Sequence, residues 1–442
     1  MSSASPTCAV LRQQVPPHWD VLPLAEVTDF QEGPGILAKD FHPTGVPLLR
    51  LRNIETPNVH LDGCNYLDPE KVEKRWPHFR LRKGDLLIST SASLGRVSVV
   101  SEAAVGSIPY TGIIRFRSAS PKLDHKYLRA FLSSAGFVQQ AEQMATGSVI
   151  KHFGPSHLRQ MAIALPSVSE QVQIAGIFDV LDARIALLRE TNTTLEAIAQ
   201  ALFKSWFIDF DPVRAKQQVL APEGMDEATA ALFPHDFAET DGRALPRGWR
   251  GCSIYDVAAV TYGAPFASSR FNTEGRGIGL VRIRDLKSEL PGVFTEEIHP
   301  KGYLIQPGNI VVGMDGEFRA YLWGGEPSWL NQRLCVFSPI NNASSAFVRM
   351  SIMPLLAAVE ASETATTVIH LGKNDIDRFR VVMPDIPVLQ AFGELVTPVY
   401  EKMVQCKQMA SILASLRDTL LPRLISGQLR LPVAEELIEE FA

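Results

Sequence analysis

Two pairs of arginines are the first residues whose spacing suggests chemistry. Arg50 and Arg52 alternate with Leu49 and Leu51, and Arg282 and Arg284 alternate with Val281 and Ile283. Read as strands, each pair projects from one face, because successive strand side chains alternate sides. Two guanidinium groups so placed suit phosphate oxygens, or the O6 and N7 edge of guanine. A solvated or ion-paired sheet face explains them equally well, so both explanations stay open. The loop Ser89-Thr90-Ser91-Ala92-Ser93-Leu94-Gly95-Arg96 offers hydroxyls, a glycine that lets backbone approach closely, and a further cation. Its counterpart, Gly313-Met314-Asp315-Gly316-Glu317-Phe318-Arg319, carries acid beside Arg319, which weakens a pure phosphate role there. A plain surface turn accounts for either loop.

Thr146-Gly147-Ser148-Val149-Ile150-Lys151-His152 matches Thr366-Thr367-Val368-Ile369-His370, with Lys373 nearby. Ser148, Lys151, His152, Thr366, Thr367, His370 and Lys373 thus put polar groups at one recurring place. Ser268, Ser269 and Arg270 follow Gly263-Ala264-Pro265-Phe266 and join the candidates, while Gln332 and Arg333 suit adenine and guanine edges. Phe203, Trp206 and Phe207 fit helix packing or docking of a partner better than base stacking. Catalytic signatures are missing. The chain has no Asn-Pro-Pro-aromatic motif, no Walker loop and no HExxH. Gly275-Arg276-Gly277-Ile278-Gly279 precedes a strand instead of following one, so it reads as a turn and not as a dinucleotide loop. Pro384-Asp385 lacks the acidic-x-lysine pair of a nuclease. We expect no enzyme activity, no bound cofactor and no metal from this chain alone.

The elements that hold these residues are written twice. Leu48-Leu49-Arg50-Leu51-Arg52-Asn53-Ile54, Gly84-Asp85-Leu86-Leu87-Ile88-Ser89 and Leu165-Pro166 return as Leu280-Val281-Arg282-Ile283-Arg284-Asp285-Leu286, Gly308-Asn309-Ile310-Val311-Val312-Gly313 and Met383-Pro384. Segments match in order while the loops between them differ, which suggests two related but non-identical recognition events. A long helix follows each copy. Ile174, Phe178, Leu181, Ile185, Leu188, Asn192, Leu195, Ala199, Leu202 and Trp206 recur at spacings of four and three, a coiled-coil seam. Phe392, Val396, Val399, Met403, Cys406, Ala410, Leu413, Arg417, Leu420 and Leu424 form a second seam; Asn192 is the polar position of the first seam and Arg417 that of the second. Pro398 predicts either a first turn or a kink there.

The expected boundaries are a first domain at 1–168, a helix at 169–210, a linker at 211–245, a second domain at 246–387, a helix at 388–427 and an acidic tail at 428–442. The expected fold is α+β, two homologous α/β domains separated by an antiparallel pair of long coiled-coil-like helices with pseudo-two-fold symmetry.

The net charge of −5 hides its distribution. Residues 1–168 hold about 18 basic and 14 acidic side chains, 169–245 hold about 6 and 13, and 246–387 about 14 of each. A mildly basic first domain permits phosphate contacts. Five cysteines lie far apart with no CxxC, which argues against disulfides or zinc and for a reducing compartment. No run of about 18 apolar residues suggests a membrane span, and Met1 to Val15 lacks a secretory signal, so a soluble cytoplasmic protein is expected.

Ala199-Gln200-Ala201-Leu202-Phe203-Lys204-Ser205-Trp206-Phe207-Ile208-Asp209-Phe210-Asp211-Pro212-Val213 resembles the specificity (S) subunits of type I restriction-modification systems. Leu232-Phe233-Pro234, Leu245-Pro246-Arg247-Gly248-Trp249 and Leu416-Arg417-Asp418-Thr419-Leu420-Leu421-Pro422-Arg423-Leu424-Ile425-Ser426-Gly427 support the resemblance over nearly the whole chain. It implies that each domain is a target recognition domain for half of a split, asymmetric site in double-stranded DNA. It also implies that the helices set the spacer and dock modification subunits, two in number, which bind S-adenosylmethionine and methylate adenine. A restriction subunit using ATP and Mg would join them. An interaction scaffold with duplicated protein-binding domains is the alternative.

Overall fold

A computed structural model describes residues 6–54, 58–90, 97–144, 153–240, 242–362 and 369–439. The chain divides into two compact units, Met1–Ile185 with Ile412–Ala442, and Ala186–Ser411.

In the first unit a four-stranded antiparallel sheet runs in the order Thr28–Glu32, Ile113–Ser118, Leu86–Ser89, Val97–Val99. A second sheet orders Phe41–His42, Asn65–Leu67, Val46–Leu49 and Ile108–Pro109, the last pairing parallel. Asp20–Pro23 pairs with Ala162–Leu165 and ties the two ends of the domain together. The second unit repeats this plan with one strand added. Its main sheet orders Ala258–Tyr262, Leu334–Pro339, Ile310–Gly313, Ala320–Leu322. Its other sheet orders Phe271–Asn272, Phe294–Thr295, Ile278–Val281 and Ser328–Leu330, with Leu304–Ile305 added at the edge, and Arg250–Ser253 pairs with Arg380–Met383.

Leu86–Ile88 and Ile310–Val312 are apolar throughout because both their faces are covered. Leu86 and Ile88 enter the core shared with Phe116 and Tyr127, while Leu87 enters a separate cluster with Leu49 and Ile113. Ile310 and Val312 join the large core of the second unit, and Val311 turns to the cluster of Val281 and Trp323. Strand alternation delivers neighbouring residues to two different cores, so no polar stripe remains.

Each long helix has 40 residues, Val168–Phe207 and Ile386–Ile425, about 60 Å at 1.5 Å per residue. Within the first unit Ile174 and Phe178 share a core with Leu420, Leu421 and Leu424. The polar seam residue Arg417 donates from Nη1 to Asp182 at 2.8 Å, and Arg129 reaches the other Asp182 oxygen at 2.7 Å. Within the second unit Phe207 stacks edge-on to Phe392 at 4.9 Å between centroids, and Phe203 to Phe392 at 6.0 Å. Arg349 donates to Glu196 at 2.6 Å and to the Tyr400 hydroxyl at 3.1 Å. Later residues of the first helix there meet earlier residues of the second, so the two run in opposite senses in that unit.

Of the two places expected for Pro398, a first turn or a kink, the helix Ile386–Ile425 leaves the second, since Pro398 lies well inside it. Residues 211–245, expected as a linker with one short helical piece near Asp226–Phe233, hold that piece at Glu227–Ala231 and more besides: Asp211–Gln217 is helical, Phe237–Thr240 pairs with Arg243–Pro246, and Val213, Phe233 and Leu245 are buried in the core. Past Gly427 the tail forms a helix, Leu431–Glu439, whose Ala434 is fully buried. One helix, Ser345–Ser362, is apolar and long enough by composition to cross a membrane. It buries Phe347, Val348, Met350, Ile352 and Leu356 in the domain core.

Candidate nucleic-acid interface

The arginine pairs do not share a strand face. Their strands end at Leu49 and Val281, and each chain then tightens into a turn of 3-10 helix, Leu51–Asn53 and Ile283–Asp285. The cause is a buried side chain at the fourth position. Asn53 Oδ1 accepts from the Arg50 amide at 2.9 Å, and Asp285 Oδ2 accepts from the Arg282 amide at 3.0 Å. Such local side-chain bonds offer the backbone an alternative to the sheet ladder. The four guanidinium groups then have different fates. Arg52 donates to the Gly63 carbonyl, and Arg282 Nε donates to Asp285 at 3.1 Å. Arg284 is exposed, and Arg50 lies over the rings of Phe41 and Tyr110.

In each unit three separated segments meet at one end of the main sheet. In the second, the Met314 amide donates to Arg333 O at 3.0 Å, Leu371 to Met314 O at 2.8 Å, and Gly316 to Ile369 O at 3.1 Å. Asp315 sits at the junction, 2.7 Å from His370 Nδ1 and 3.6 Å from Arg333 Nε. In the first, the Thr90 amide donates to Gly112 O at 2.9 Å and Phe153 to Thr90 O at 3.3 Å. Glu32 accepts from the Gly112 amide at 3.1 Å. Both junctions require glycine where the first strand ends. A Cβ on Gly33 would lie 2.2 Å from Pro109 O, and one on Gly263 2.0 Å from Asn331 O.

Several candidates are held by carboxylates of the same unit. Arg319 donates to Glu360 at 2.6 Å. That bond, with a second from the Phe318 amide, holds the Glu360 carboxyl below its usual range. Lys373 pairs with Asp377 at 2.8 Å, and the Tyr255 hydroxyl adds a bond at 2.7 Å, so Asp377 also titrates low. Ser268, Ser269 and Arg270 form an exposed 3-10 turn. Ser269 and Arg270 border a cavity of about 380 Å³ with Asn272, Arg276, Glu296 and Glu297. Ser89 is buried in the last position of its strand instead of standing on the loop. Ser91, Ser93, Arg96, Ser148, Lys151, His152, Thr366 and Thr367 lie outside the described residues. Sequence reasoning missed Glu360 and Asp377, which pair with Arg319 and Lys373, and Glu32, which holds the Gly112 amide. The repeated glycines of Glu32-Gly33 and Tyr262-Gly263 were the available signal. Among the described residues no cluster of three or more His, Cys, Asp or Glu could hold a metal ion.

The type I restriction modification DNA specificity domain matches residues 16–197. The type I restriction enzyme MjaIX specificity subunit of Methanocaldococcus jannaschii is 25% identical over 435 residues, 94% of this chain and 95% of that protein. Along nearly its whole length the chain is therefore similar to a type I restriction enzyme specificity subunit. The EcoBI specificity subunit of Escherichia coli is 31% identical over 187 residues, 41% of this chain and 39% of its own length. The crystal structure of the S subunit from M. genitalium shares the fold, with a TM-score of 0.52 at 17% identity, covering 92% of this chain and 96% of that one. In this chain one plan recurs, two copies of a mixed domain each followed by a long helix.

Proposed function

We propose that this chain is the DNA-recognition subunit of a type I restriction-modification complex and performs no catalytic step itself. The observation that carries this reading is the repeated junction, where three variable segments are pinned to one end of the same sheet in two sequence-divergent copies. A rigid sheet with variable loops presents side chains to a groove, and two copies read two half-sites. Because the two copies differ in sequence at their junctions, the half-sites differ and the full site is asymmetric. The two long helices set the spacer between half-sites and dock modification subunits, two per complex, which bring S-adenosylmethionine. A restriction subunit brings ATP and Mg, and the complex works in the cytoplasm. Domains at 1–168 and 246–387 are the recognition domains, and helices at 169–210 and 388–427 are the spacer.

Footprinting of the chain co-expressed with its modification subunit tests this. Two protected patches flanking an unprotected gap support it. One continuous patch, or protection of no DNA, overturns it and favours a scaffold that binds proteins. Phosphate contacts should make affinity fall steeply with salt, and a base-pair change in either half should cost about 1–3 kcal/mol.

A further inference from the structure

Resting on that reading, the two arginines that begin the repeated turns are not equivalent. Arg50 and Arg282 occupy the same place in the fold: each follows the strand paired in parallel with the next turn, and the Leu49 and Val281 carbonyls accept from Tyr110 and Asn331. Two substitutions separate them. Asp285 in the second unit holds Arg282 Nε at 3.1 Å, with only 6% of the carboxylate side chain exposed. Asn53 stands there in the first unit, fully buried, and spends its amide on the Asp62 carbonyl at 3.0 Å. An amide neutralises no charge. Tyr110 then replaces Asn331, so the Arg50 guanidinium lies 5.0 Å from the Phe41 ring centre and 5.6 Å from that of Tyr110. Both rings pack on the cluster of Ile36, Leu48, Leu67 and Trp76, which fixes the platform. Arg50 Nε is buried and bonds to no described residue, and no described carboxylate lies within ion-pair distance. A cation held flat on aromatic rings, lacking a described counter-charge, is preorganised for an outside acceptor.

Its location supplies that acceptor. Tyr110 begins the turn that carries Thr111 and Gly112, both bonded to Glu32, and Gly112 accepts from Thr90 at the loop junction. We propose that Arg50 is a DNA-reading residue of the first domain, donating to phosphate oxygens or to a guanine edge, whereas Arg282 is withdrawn into an internal ion pair and reads nothing.

The test uses the full-length chain co-expressed with modification subunits and a duplex holding the site that methylome sequencing identifies. Affinity is measured for Arg50→Gln, Arg282→Gln, Asn53→Asp and Asp285→Asn across a salt series, with melting curves as folding controls. Arg50→Gln and Asn53→Asp should each weaken binding about tenfold, while Arg282→Gln stays within about twofold. A salt slope shallower by about one unit, with loss uniform across sequences, identifies phosphate; an unchanged slope with relaxed preference at one base of the first half-site identifies guanine. Asp285→Asn, which frees Arg282, should tighten binding, and it carries the test if both first-domain variants melt early. Equal losses for Arg50→Gln and Arg282→Gln, or no change on Arg50→Gln or Asp285→Asn, overturn the proposal. If the unsubstituted complex protects no DNA, the recognition role itself fails, a different result from unaltered variants of a complex that binds.

Discussion

Arg349 shows how much one residue organises. It is 13% exposed, and burial opposes its charge, yet Glu196 and the Tyr400 hydroxyl hold it. Replacing it by alanine leaves Glu196 without its partner, and the expected loss is about 3 kcal/mol in denaturant unfolding. The cysteines give a second test. Burial pushes the Cys252 thiol up to about 11 and that of Cys335 up to about 12. A raised value means less thiolate at any given pH, hence slower attack on a disulfide reagent. Cys8 and Cys406 are also buried, while Cys64 is partly open. Thiol titration of the native protein at pH 8 should therefore find one accessible group at most, and all five after unfolding. At this scale the sequence exposed the basic candidates but not their partners. Arg319 and Glu360 lie 41 positions apart, His370 and Asp315 55 apart, and no local pattern encodes such distant pairings.

Helices were the most legible elements because a seam repeated over many turns leaves one way to bury it. Ile174, Phe178, Leu181, Ile185, Ala199 and Trp206 are buried as the spacing predicts, and so are Phe392, Val396, Met403, Cys406, Leu413, Leu420 and Leu424. Leu188, Leu195, Leu202 and Val399 are half-buried, and Asn192 differs in kind, with an amide oxygen buried and bonded to no described residue. Asn192→Leu should raise stability by about 1 kcal/mol, read as a higher melting temperature. An unchanged or lower value would mean that the amide is satisfied in solution. Strand ends were less legible. Arg50 and Arg282 continue the apolar alternation on paper, yet Asn53 and Asp285 close a turn over them, and a capping bond outweighs a pattern only two residues long. In the stretch at 211–245 the short helical piece was legible, while the burial of Val213 and Phe233 in the core depends on distant partners that no local pattern encodes.

For the whole molecule, duplication is the decisive fact. Two copies with the same order in their main sheets differ in the charges near their junctions, and Arg282, Arg319, Arg333 and Lys373 of the second copy pair with its own carboxylates. Exchanging the second domain, 246–387, for that of a related specificity subunit should change one half-site and leave the other intact. A change in both halves would defeat the modular account. Lengthening one long helix by four residues, about 6 Å, should alter the gap between half-sites without altering the bases read. The most direct test is methylome sequencing of cells that carry the modification subunit with and without this chain. The expected result is a methylated motif of two short, unlike half-sites separated by a fixed unspecified gap, present only with the chain. Methylation independent of it, or a single uninterrupted motif, would contradict recognition by two separate domains.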